Sequence, residues 1–111
     1  MENTFNNILY PFLFEPNLHE IVWGGEKLTA WKGLPAKDHI GESWEVSCVE
    51  SSPSIIANGM WAGYTLKDVI SKHPEEILGG EVNRRYNGEL PLLVKFIDAQ
   101  KDLSIQVHPD D

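Results

Sequence analysis

Apolar residues recur along the chain in short runs, each stopped by proline, glycine or a polar cluster. That pattern favours many short elements over long helices. Tyr10 to Phe14 reads as a short strand, with Pro11 restricting it to an edge or an entry. Ile21-Val22-Trp23 is apolar and is stopped by Gly24-Gly25, and Glu26 to Trp31 has room for one or two helical turns before Gly33 and Pro35. From Ser43 to Val49 the alternation is regular: Trp44, Val46 and Cys48 fall on one face, Ser43, Glu45 and Ser47 on the other. Ser54 to Ala57 reads as a further strand, and Asn58-Gly59 as a turn.

The clearest helix signal begins at Thr65. A threonine cap with Asp68 three residues later resembles a capping box. His73-Pro74 breaks this helix, and Pro74-Glu75-Glu76 opens a second one, with acids near its positive end, that closes at Gly79-Gly80. Leu92 to Ile97 predicts a strand buried on both faces except at Lys95. Asp98 to Asp102 makes a polar turn, and a last strand starts at Leu103. The expected architecture is mainly β with a small helical insert.

Composition narrows the function classes. The chain has 111 residues, 41% of them hydrophobic and 10% aromatic, as in an ordinary globular domain. The net charge of −8 argues against non-specific nucleic-acid binding, which depends on neutralising phosphates. A phosphorylated small substrate stays open, since two or three placed cations suffice for it. No stretch approaches the run of about 18 apolar residues that a membrane span needs. The first residues lack the basic start and apolar core of a secretory signal, and the single Cys48 cannot form an internal disulfide. Both fit a cytoplasmic protein.

Candidate chemistry concentrates near the C-terminal end. In Leu103 to His108 a period of two puts Ser104, Gln106 and His108 on one face. Alternate residues on a strand stand roughly 6.5–7 Å apart, so Gln106 and His108 can converge on one metal ion. Imidazole suits zinc among other metals, and an amide oxygen is a harder ligand. The same spacing equally serves a polar face turned to water. Lys95, between Val94 and Phe96, either snorkels from a half-exposed strand or faces a pocket and an anionic ligand. Glu42 and Glu45 flank Trp44, and either one can point into such a pocket. Cys48 falls on the apolar side of its strand and reads as core. His19, His39 and His73 show no mutual spacing that suggests a shared site.

The run from Leu90 to Asp111, LPLLVKFIDAQKDLSIQVHPDD, closely resembles the signature of type I phosphomannose isomerases. Ile21-Val22-Trp23-Gly24-Gly25 with Leu28 is similar to that family's opening motif, and Gly41 to Ser47 to its glutamate–tryptophan strand. The similarity runs from about Tyr10 to the end. It implies a zinc enzyme with a cupin jelly roll that interconverts mannose 6-phosphate and fructose 6-phosphate. It also implies that Gln106 and His108 are metal ligands, that Ser104 lies near the sugar phosphate or hydroxyls, and that Lys95 and Glu42 line the catalytic pocket. By this resemblance Glu42, not Glu45, is the pocket acid.

The family's further ligands, a glutamate and a second histidine, come later than His108, and this chain ends three residues after it. Residues 1–111 are therefore expected to be the N-terminal part of a longer catalytic domain, a partial cupin. Alone they are expected to be inactive and, with jelly-roll strands lacking partners, prone to self-association. The competing reading is a degenerate cupin module that binds a sugar or a protein partner without catalysis.

Overall fold

The computed structural model describes residues 10–101, so the strand expected from Leu103 lies outside the described residues. They divide into two units. One comprises Leu18–Ser43 with residues 96–101, the other residues 10–17 with Trp44–Lys95. Strands β1 (Leu18–Gly25), β2 (Ile40–Val46) and β3 (Val94–Ile97) form a sheet in the order β1-β2-β3. A small sheet with a run of short helices between β2 and β3 is the architecture expected from the sequence.

In the first unit β1 and β2 pair antiparallel, but Glu20 and Gly25 both stand opposite Ile40. The residues between them bulge out of the ladder. Gly24 then lies so close to the backbone of Ile40 and Gly41 that a Cβ has no space, and a Cβ on Gly41 would meet the ring of Trp23. These glycines thus permit a backbone approach besides ending the apolar run. Trp23, Leu28 and Ile40 form the buried apolar cluster of this unit. The short helix α1 (Lys27–Trp31) follows, as the Glu26–Trp31 reading expects, and Gly33 turns out of it at a φ of 69°. Asp98 was expected in a polar turn; it is instead buried, and its carboxylate accepts from the amide of Lys27 at 3.0 Å. Trp23 O accepts from both Gln100 N and Lys101 N, which ties that turn down.

In the second unit, segment 10–14 makes an isolated bridge, Phe14 to Ile56, where a short strand was expected. Two backbone bonds flank the bridge, Glu15 N to Ile55 O at 2.8 Å and Ala57 N to Leu13 O at 2.7 Å, and side chains extend it. Tyr10 Oη donates to Asn58 O at 2.9 Å and accepts from Trp61 N, and Asn58 bonds both Leu13 N and Pro11 O. Asn58-Gly59 is the expected turn, with Gly59 at φ 73°.

Helix α2 (Leu66–Lys72) is capped as the sequence implies: Thr65 Oγ1 accepts from Asp68 N at 3.1 Å. Its Leu66, Val69 and Ile70 are buried, and with Ile56 they make the apolar core of this unit. Helix α3 (Pro74–Leu78) begins on the proline and ends at Gly79, whose φ is 81°. A further helix, α4 (Gly80–Arg85), was not expected from the Gly79-Gly80 pair. Glu81 in its first turn and Arg84 and Arg85 in its last complement the helix dipole, which offsets the glycine start.

Two burial expectations are corrected. Along β2 and beyond it, the polar positions are the enclosed ones: Ser43 and Ser47 are fully buried, whereas Trp44, Val46 and Cys48 are half-buried. The hydroxyls explain Ser47. Its Oγ donates to Ser52 O and accepts from Val49 N, and Ser54 Oγ accepts from Ser47 N at 2.8 Å. These bonds satisfy backbone groups where the ladder has stopped. In β3, Val94, Phe96 and Ile97 are 41%, 46% and 51% exposed, so this strand is not buried on both faces. An apolar strand is covered only where a second layer packs on it, and the alternation of apolar residues does not supply that layer.

Candidate functional site

Ser104, Gln106 and His108 lie outside the described residues. The other two expected site residues, Glu42 and Lys95, stand on different strands, one in each unit. Glu42 occupies the middle of β2, directly opposite His19 of β1, and is 7% exposed. Glu45, three residues on in the same strand, is half-buried. Glu42 is thus the more enclosed of the two acids that flank Trp44.

Lys95 is exposed on β3, and its Nζ stands 5.8 Å from the ring centroid of Trp44 on β2. Its stem therefore crosses to the neighbouring strand, and the charged end rests against an aromatic face. Trp44 was read only as an apolar position between two glutamates, and its contact with Lys95 was missed. Nothing in a single sequence pairs residues so distant along the chain.

The second unit also contains a cavity of about 610 Å³ walled by Cys48, Val49, Lys67, Ile70, Ser71 and residues 87–93. Burial pushes the Cys48 thiol above its ordinary pKa, and the nearby Lys67 charge offsets part of that rise. A thiol shifted this way is a poor nucleophile at neutral pH, in keeping with its reading as a packed residue.

His73 links α2 and α3, with its Nδ1 3.7 Å from Glu76 Oε2 and its ring 5.6 Å from that of Trp61. His39 is exposed, with a φ of 59° that places it in a turn. Among the described residues, no group of three or more His, Cys, Asp or Glu side chains is arranged to hold a metal ion. No helix among them is long and apolar enough to cross a membrane.

Comparison with known proteins adds what these residues cannot. Residues 12–111 match the family "Phosphomannose isomerase type I, catalytic domain". The chain is 43% identical over 104 residues to the "Probable mannose-6-phosphate isomerase GmuF" of Bacillus subtilis (strain 168), covering 92% of this chain and 31% of that protein. It is 35% identical over 101 residues to the mannose-6-phosphate isomerase ManA of the same organism, covering 91% and 30%. The crystal structure of the mannose 6-phosphate isomerase from Bacillus subtilis superposes with a TM-score of 0.77 at 36% identity, over 93% of this chain and 32% of that one. The chain thus spans about a third of the length of the relatives it matches.

Proposed function

The chain belongs to the type I phosphomannose isomerase family, and on that premise we propose that its protein interconverts mannose 6-phosphate and fructose 6-phosphate. The observation that carries this reading is the family match, which runs through the segments holding Glu42, Lys95, Ser104, Gln106 and His108. The cupin jelly roll and the zinc ion are part of the same proposal.

The proposed ligands are Gln106 and His108, as the family resemblance implies. Their donor set, one imidazole and one amide oxygen, is compatible with a divalent cation and incomplete for catalytic zinc, which takes three protein ligands. When bound, such an ion supplies Lewis acidity to the sugar oxygens.

The chain's own residues carry the rest. An aldose–ketose isomerisation moves a hydrogen between C1 and C2 and a proton between the two oxygens, so it needs a positioned acid or base. Glu42 is enclosed and offers a carboxylate for that work. Lys95 offers an ammonium at the end of a flexible stem, suited to an anionic sugar phosphate or to proton transfer. Ser104 offers a hydroxyl to the phosphate or the sugar hydroxyls. Residues 1–111 alone carry two of the four ligands that the resemblance implies, so this polypeptide is expected to bind zinc weakly or not at all and to show no turnover.

The test compares the polypeptide 1–111 with the protein expressed from the complete gene, by metal analysis and by a coupled assay for fructose 6-phosphate. Turnover and about one bound metal per chain are expected from the complete gene. There, Gln106→Ala and His108→Ala each lower metal content and activity together. Full metal content in both variants, or turnover by residues 1–111 alone, contradicts the ligand assignment. Absence of turnover from the complete gene overturns the isomerase reading in favour of a binding module.

A further inference from the structure

Among the described residues three lysines lie over aromatic rings, and one differs from the others in kind. Lys32 stands 5.3 Å from the ring of its chain neighbour Trp31, and Lys72 5.8 Å from Tyr64, at the far end of the helix that follows it. Both contacts are local in sequence. Lys95 meets Trp44 only because β2 and β3 are neighbours in the sheet.

The two partners differ in freedom. Trp44 is half-buried, has only two side-chain torsions, and its backbone N–H donates to Asn17 O at 2.9 Å. Lys95 is exposed on a four-carbon stem and loses much rotamer entropy when fixed. The ring is the stiffer of the two partners, and the lysine stem the more flexible one.

We propose that Trp44 is a positioning residue for Lys95, its indole face holding the Nζ at one place before the anionic substrate arrives. This rests on the reading of Lys95 as a residue that meets the sugar phosphate. The ring quadrupole attracts the ammonium, and tryptophan does so more strongly than tyrosine or phenylalanine. An ammonium already confined has less entropy to lose on binding an anion, so the gain falls on substrate binding. At an exposed site the attraction corresponds to about a two- to fivefold bias toward the held position.

The first measurement needs no activity. The chain is treated with an amine-acylating reagent, and the labelling rate of Lys95 is compared with that of exposed Lys101 by peptide mass spectrometry. Trp44→Leu is expected to raise the ratio about two- to fivefold and Trp44→Phe by less, because a smaller ring face remains. Trp44→Phe also guards against misfolding, which thermal unfolding of both variants checks.

The second measurement uses the protein expressed from the complete gene. Trp44→Leu should raise KM for mannose 6-phosphate by a similar factor with little change in kcat. In a Lys95→Ala background it should have no further effect on KM. An unchanged labelling ratio in both variants overturns the proposal and leaves the isomerase reading standing. Absence of turnover in the unsubstituted protein overturns that reading, and the shift in labelling survives it. A KM effect that persists undiminished without Lys95 shows that Trp44 acts some other way and overturns the positioning role.

Discussion

Cys48 shows how a single side chain takes its chemistry from its surroundings. Its sequence position fits a core residue, yet it is only half-buried and borders a cavity beside Lys67. Burial still outweighs the lysine, and the thiol pKa lies above its ordinary value. The thiolate is the reactive species, so alkylation of Cys48 by iodoacetamide at neutral pH should be slower than that of an unfolded peptide. Lys67→Met removes the offsetting charge and should slow it further, while raising the pH speeds both. Alkylation at the unfolded rate, followed by mass spectrometry, contradicts the assigned environment. Thr65 is the complementary case, a residue whose role was plain in sequence. Its hydroxyl accepts from Asp68 N, and Thr65→Ala should cost about 1 kcal/mol in denaturant unfolding. No loss means that α2 is held by Leu66, Val69 and Ile70 alone.

Among the elements, the β1–β2 pair depends on two glycines more than on its apolar residues. Gly24 and Gly41 approach each other where the ladder jumps register. A methyl group at Gly24 meets backbone, which cannot swing aside as a flexible side chain can. Gly24→Ala is therefore expected to destabilise by about 1–3 kcal/mol, the range for forced overpacking. Gly33→Ala is a contrast of another kind, since a Cβ there has open space and the strain comes only from its φ of 69°. A melting temperature unchanged by Gly24→Ala refutes the close approach. The run from Thr65 to Arg85 is divided by local signals alone: a threonine cap, a proline start and two glycines. Those signals act within a turn or two, which is why two of these three helices were legible from composition.

At the scale of the whole molecule, the strand β3 stands last in the sheet order among the described residues, and its apolar residues are exposed. The ring of Phe96 meets that of Trp31 edge-on at 5.1 Å, and Trp31 is itself 63% exposed. An exposed apolar edge strand is a template for pairing. Residues 1–111 in isolation are expected to associate with rising concentration in light scattering, and Val94→Lys should reduce it. A monodisperse monomer at all concentrations counts against this proposal.

What the sequence determined by itself is largely local. Thr65, Pro74 and Gly79 set helix ends through their own hydrogen bonds and torsions, and Asn58-Gly59 set a turn. The family, too, was legible, because its motifs at Trp23, Trp44 and Lys95 survive as residues in order. Tertiary structure decided what depends on partners far along the chain. It enclosed Ser47 by giving its hydroxyl backbone groups to satisfy, and it buried Asp98 against the amide of Lys27. It left the apolar alternation of β3 exposed, and it carried Lys95 across to the face of Trp44. Alternation reports which side chains share a face, while burial and chemistry depend on what the fold brings against that face.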